Sequence, residues 1–185
     1  MLEIRKAKKE EISECYEVIK DAKRVFKKQG STQWQDLDGY PSLETLQNDF
    51  NKDELYLVKD KEIIGVFVFS GTLEKCYENI YEGKWNSTTN NYGVLHRIAI
   101  LEKYRGKGYS INIMNFIDDL AKSLKLDSIK VDTMERNIEM RKLLIKSNYQ
   151  ECGIIYLLRK DVLDPKRIAY EKLISIPVIC QDRKK

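Results

Sequence analysis

The clearest chemistry in this chain lies in the stretch Arg105-Gly106-Lys107-Gly108-Tyr109-Ser110. Gly106 and Gly108 have no Cβ, so a ligand can approach their backbone closely. The residues that follow repeat at helical spacing, and a helix starting there aims free N–H groups and a positive dipole end at that ligand. Arg105 and Lys107 add formal charge. Together these features make an anion site, suited to phosphate. The nucleotide loop G-x-x-x-x-G-K-[ST] is absent, and a dinucleotide fingerprint begun at Gly106 puts its third glycine at Ile111. The bland alternative is a strand-to-helix turn with ordinary surface charges.

His96 is the only histidine. Histidine ordinarily titrates near neutrality, so it can serve as a general base, directly or through water. A hydrogen-bonded structural histidine is the competing reading. Asp132 and Thr133 end a short apolar stretch, where they can hold an ammonium group or merely cap a loop. Glu135 and Glu82 are weaker candidates. Trp34 is an aromatic in the polar segment 31–40, either a lid residue packed on the core or the wall of a substrate pocket. Tyr77, Tyr81 and Trp85 recur every four residues in a long connection. With one histidine and scattered Cys15, Cys76, Cys152 and Cys180, a zinc site has little to work with. A Cys–His hydrolase lacks a cysteine in a nucleophile setting.

The elements that position these residues can be read from periodicity. Residues 2–7 alternate as a first strand. Ile12, Cys15, Tyr16, Ile19, Ala22, Val25 and Phe26 recur at three and four, a helix over 10–29 stopped by Gly30. Ser42 caps a short helix with Leu43, Leu46 and Phe50 inward. Residues 54–59 and 62–70 form a hairpin about Asp60-Lys61. The connection 71–91 is long for a compact domain, which favours a functional loop. A buried strand over 95–101 feeds the glycine loop. The helix after it turns Ile113, Met114, Ile117, Leu120 and Ala121 inward. A strand over 128–133 follows. Next comes a helix from Asn137 with Met140, Leu143 and Leu144 inward, ended by Asn148. Strands over 149–159 and 167–174 come last. This order gives a mixed sheet with helices on its faces, an α/β (α+β) fold.

The 185 residues suit one domain, 1–174, with the tail 175–185 unplaced. With 34% charged and 42% hydrophobic residues, the balance is that of a soluble globular protein. A net charge of +4 against 33 basic and 29 acidic residues does not argue for nucleic acid. No apolar run is long enough to span a membrane. The N-terminus has no signal core, and the scattered cysteines point to a reduced, cytoplasmic protein.

Arg105, Gly108 and Ser110 fit the pattern [QR]-x-x-G-x-[GA], except that serine replaces the final small residue. With the strand Arg97-Ile98-Ala99-Ile100 before it, this loop resembles the acyl-CoA loop of the GNAT superfamily of N-acetyltransferases. QWQDLDGYP, HRIAI, VDT, N-x-x-M-x-x-L-x-x-K and CGIIYL with RIAYEK look like a group of small bacterial members. The resemblance covers nearly the whole chain and implies a single-domain, mostly antiparallel sheet with helices on both faces. It implies acetyl-CoA as acyl donor and direct transfer to a primary amine of a small molecule or exposed amino group. It also implies that the strand around Ile98, Ala99 and Ile100 splays from its neighbour and pairs with the pantetheine arm. Arg105 to Ser110 would then take the phosphates, and Asn137 would contact the pantetheine. His96 and Asp132 are the candidate proton carriers. Trp34, Tyr81, Trp85 and Thr133 are expected around the acceptor. The tyrosine that commonly protonates the leaving thiolate aligns with Leu144, which cannot donate a proton. That departure keeps a rival open, a CoA-binding regulatory or interaction module of the same fold. The partners expected are an amine acceptor, no nucleic acid and no membrane, with a homodimer left open.

Overall fold

The computed structural model describes residues 2–174, so the tail 175–185 lies outside the described residues. β1 (Glu3–Lys6), α1 (Ile12–Lys28) and α2 (Leu43–Asn51) precede the hairpin β2 (Leu55–Lys59) and β3 (Ile63–Ser70). β4 (Tyr92–Ile100) leads into α3 (Tyr109–Ser123), and β5 (Ser128–Thr133) into α4 (Ile138–Lys146). β6 (Gln150–Tyr156) and β7 (Lys166–Leu173) complete the sheet, whose order is β1-β2-β3-β4-β5-β7-β6. Only the β4–β5 pair is parallel. This is the mixed sheet that the element order implies, and it is mostly antiparallel as the resemblance implies.

Side chains alternate across a strand, so β3 supplies two cores at once. Val66 and Val68 pack with Val18, Ile19 and Ala22 of α1, while Phe67 and Phe69 share a cluster with Ile113, Met114 and Ile117 of α3. Burying each such side chain contributes roughly 1.5–3 kcal/mol. The helix ends follow local chemistry. Ser42 Oγ accepts the Thr45 N–H at 3.1 Å, and Asn137 Oδ1 accepts the Met140 N–H at 3.2 Å. Asn148 takes the left-handed conformation at φ +65° and ends α4. Two details depart from periodicity. Leu43, expected inward, is exposed at the first position of α2, and β4 begins at Tyr92 rather than at 95.

The feature that positions the site is a gap in the sheet. β4 and β5 pair only over Tyr92–Val94 and Ser128–Lys130. Beyond that, β4 continues along β3 to Ile100 and β5 along β7 to Thr133. A β-bulge sits where the two strands part. The register with β3 shifts between Val66 and Val68, and Arg97 stands at φ +50°. A bulge adds a residue and increases local twist, which turns β4 away from β5.

The connection 71–91 is docked along β6 and β7. Tyr81 and Ile154 exchange main-chain hydrogen bonds of 2.8 Å, and Lys84 donates its N–H to the Cys152 carbonyl at 2.9 Å. A Cβ on Gly83 would lie 2.0 Å from the Cys152 carbonyl oxygen, so only glycine permits this approach. The buried Glu171 carboxylate accepts from the N–H groups of Asn86 and Ser87 at 2.6 and 3.0 Å and from Ser128 Oγ at 2.7 Å. No helix among the described residues is long and apolar enough to cross a membrane.

Candidate active site

Two cavities meet at the gap between β4 and β5. The smaller, about 220 Å3, is a slot lined by Ile98, Ala99 and Ile100 on one side and by Met140 and Leu143 of α4 on the other. Arg105, Gly106 and Ser110 close its far end. Gly108 is the N-cap of α3 at φ +85°, a left-handed conformation that L side chains rarely adopt. A Cβ built on Gly106 or Gly108 meets nothing within 4 Å, so both backbones face open space. Lys107 and Tyr109 shape the turn, with the ammonium 4.9 Å from the Tyr104 ring and the Tyr109 ring edge-on to it at 6.1 Å. Arg105 Nε donates to the Ile100 carbonyl at 3.2 Å and ties the turn to β4.

The larger cavity is a cleft of about 600 Å3 lined by residues of the 31–40 loop, β4, β5 and the starts of the 71–91 connection and β7. It shares Phe26, Ile98, Asn137 and Met140 with the slot, so the two adjoin. His96 lies on its floor, with Nε2 3.1 Å from Glu74 Oε1. That hydrogen bond holds the Glu74 carboxyl below the usual carboxylate range, against the opposing effect of burial. On β5, Asp132 Oδ2 accepts from the Tyr77 hydroxyl at 2.9 Å. Burial pushes the Asp132 carboxyl up, although Arg167 and His96 pull it down. Burial likewise raises the Cys76 thiol to about 12, which leaves it a poor nucleophile.

The expected residues divide between these cavities and the rest of the molecule. Trp34 walls the cleft at φ +58°, its ring edge-on to Phe26 at 5.4 Å. Thr133 lines it too, with a buried Oγ1 that has no hydrogen-bond partner among the described residues. Asn137 stands at the junction and donates Nδ2 to Gln33 Oε1 at 2.9 Å. Tyr81 and Trp85 are corrections, since neither lines the cleft. Tyr81 pairs its main chain with Ile154 and sets its ring edge-on to Tyr156. Trp85 donates Nε1 to the Tyr77 carbonyl at 2.9 Å, packs on Tyr77 and covers the Lys130 ammonium at 4.3 Å. Docking of the connection on β6 takes both side chains away from the gap. Leu144 is fully buried in the main core, so the usual acid position does not reach the slot.

Several residues of the cleft carry no signal in the sequence. Arg97, turned by the bulge, donates Nη1 to Tyr40 Oη at 2.6 Å and Nη2 to Asp49 Oδ1 at 2.5 Å. Arg159 pairs with Asp36 and Asp38 and lies 3.9 Å from the Tyr40 ring, joining the 31–40 loop to the β6–β7 connection. Glu74 and Arg167 enter from the start of the long connection and the start of β7.

The model of the acetyltransferase (GNAT) family matches residues 12–153. A GNAT-family acetyltransferase from Streptococcus agalactiae is 32% identical, with 94% of this chain and 96% of that one aligned at a TM-score of 0.82. One from Listeria monocytogenes is 19% identical, aligned over 93% and 94% at 0.71. The ribosomal-protein-S18-alanine N-acetyltransferase of Escherichia coli is 10% identical, aligned over 95% and 96% at 0.66. At such low identity these last two bear on the fold alone. No curated protein matches the sequence. The match over residues 12–153 and the 32% identity over nearly the whole chain show that the chain belongs to the acetyltransferase (GNAT) family.

Proposed function

We propose that the protein is an acetyl-CoA-dependent N-acetyltransferase acting on a primary amine by direct attack in a ternary complex. The observation that carries this reading is that the two cavities adjoin. One ends at a glycine turn open to phosphate, the other holds a histidine–carboxylate pair, and they meet beside the unpaired edge of β4. The residues fit the donor. Gly106 and Gly108 leave open space that a side chain would fill, and the slot beside them runs along Ile98, Ala99 and Ile100 of β4. Bound acetyl-CoA supplies an acyl thioester.

The roles of this chain's residues follow from placement. The first N–H groups of α3, with Arg105, Gly106, Lys107, Gly108, Tyr109 and Ser110, hold the phosphates. The edge of β4 at Ile98, Ala99 and Ile100 offers main-chain groups to an extended arm, as an added strand would. Asn137 orients the arm at the junction. A protonated amine must lose its proton before it attacks, and simple amines titrate at about 10.4. His96 takes that proton at Nδ1, because its Nε2–H is donated to the Glu74 carboxylate, and that anion stabilises the imidazolium that results. Asp132 offers a second carboxylate to the incoming ammonium. Trp34 and Thr133 bound the acceptor. A cytoplasmic location is part of the same reading.

One observation favours the rival, a CoA-binding module without turnover. The position of the usual acid is filled by the fully buried Leu144. Thiol release from acetyl-CoA across a panel of amines decides between the two. The enzyme releases thiol in an amine-dependent manner. A module binds CoA in a calorimetric titration and releases none with any amine.

A further inference from the structure

Arg167 is the one buried cation of the acceptor cleft without a hydrogen-bonded carboxylate among the described residues. Its side chain is 10% exposed. Nη1 donates to the carbonyls of Asp164 and Lys166 at 2.5 and 2.8 Å, which fixes the guanidinium in place. Its one ion-pair partner, Asp132 Oδ1, stands 3.7 Å from Nε, beyond hydrogen-bond reach. The other oxygen of that carboxylate is taken by Tyr77. The second buried arginine of the cleft, Arg97, is by contrast bonded to Asp49 at 2.5 Å. A guanidinium withdrawn from water without a charge-assisted hydrogen bond is costly to hold. It also presents planar donors that match a carboxylate.

Charges of the opposite sign stand next to it. Asp132 lies against Arg167, and the Glu74–His96 pair shares the same floor. We infer that the acceptor is an α-amino acid, its carboxylate on Arg167 and its amino group on Asp132 and His96. A cation and an anion held side by side are the complement of a molecule that carries both charges on one carbon. Trp34, Leu95, Leu157 and Leu158 give the remainder of the cleft an apolar wall, which suits an apolar side chain. A plain amine would leave Arg167 without a hydrogen-bonded carboxylate, and a site built to bond a polar group rejects analogues that lack it. This inference rests on the assignment of the cleft as an amine-acetylating site.

The test compares leucine with leucinamide and phenylalanine with phenylalaninamide in thiol release from acetyl-CoA. The amides have the less basic amino group and hold more free amine at a given pH, so a preference for the acids runs against intrinsic reactivity. The expected result is kcat/KM at least about tenfold higher for each acid, the scale of a hydrogen bond to a charged group. Arg167→Gln removes that ratio, and Arg167→Lys keeps part of it. Calorimetry of N-acetylleucine against N-acetylleucinamide on the wild-type protein with CoA needs neither a variant nor turnover, and the acid binds more tightly. Equal or better use of the amides, or equal affinity for the two acetylated products, overturns the inference while leaving the enzyme an acetyltransferase. Absence of both CoA binding and thiol release overturns the acetyltransferase reading instead. The product titration still decides the carboxylate site in that case.

Discussion

The two cavities differ in how they are built. The slot proposed for the donor is organised by one run of chain, with a strand edge, a glycine turn and the first turn of a helix all between Ile98 and Ser110, and side chains of α1 and α4 only wall it. The acceptor cleft is made of charged side chains drawn from the 31–40 loop, β4, β5, the 71–91 connection and the start of β7. A backbone site depends on conformation and tolerates many side chains. A side-chain site depends on which residues meet. The first can therefore be common to a family whose acceptors differ, because loop chemistry rather than the scaffold sets specificity.

Substitutions can break this contrast. The largest effect is expected in the cleft. His96→Ala lowers kcat/KM about a hundredfold or more, the usual range for a general base, with little change in the affinity for CoA. It also removes the rising limb of the pH–rate profile, since deprotonation of the imidazole creates the base. Glu74→Gln removes the anion that His96 Nε2 bonds, and kcat/KM falls by about tenfold with the affinity for CoA unchanged. A His96→Ala profile superimposable on wild type, at a similar rate, assigns the proton to water or Asp132.

In the slot, Gly108→Glu weakens CoA binding by about a hundredfold, measured by titration of the folded variant. Bulk and negative charge face the phosphates, and the left-handed backbone adds strain of roughly 1–2 kcal/mol. Gly108→Ala carries only the strain and separates it from the loss of access. Unchanged CoA affinity in Gly108→Glu removes the slot from the site altogether.

Smaller effects sharpen the boundary of the cleft. Trp85→Ala lowers the melting temperature, by about 2 kcal/mol in stability, with equal changes in KM for both substrates, because Trp85 packs on Tyr77 and Lys130. A selective rise in acceptor KM returns Trp85 to the cleft. Leu144→Tyr forces bulk and a hydroxyl into the core, at about 1–3 kcal/mol, and gives no gain in thiol release. A faster variant shows that the α4 position still reaches the sulfur.

How far each part could be read follows from the range of the forces involved. β5 runs over 128–133 as the short apolar stretch indicates, and Asn137 and Ser42 cap the helices they precede, because local hydrophobic pattern and capping act over a few residues. The turn at Gly106 and Gly108 was legible for the same reason. Leu43 misled because a short amphipathic helix leaves its first turn free to face solvent. Tyr81 and Trp85 misled because a spacing of four says nothing about which strand a connection will lie on. Gly83 against Cys152 settles that, and the two are far apart in sequence.

By itself the sequence determined the order of elements, most of the helix faces and the glycine turn before α3, all products of local backbone preference and short-range burial. Only the tertiary structure decided that β4 parts from β5 at a bulge at Arg97, that Glu74 meets His96, and that Arg167 is buried beside Asp132. Those contacts join residues 22 and 35 positions apart or lie between strands that part company. Their physical reason is the packing of a whole sheet, to which no window of the chain gives access.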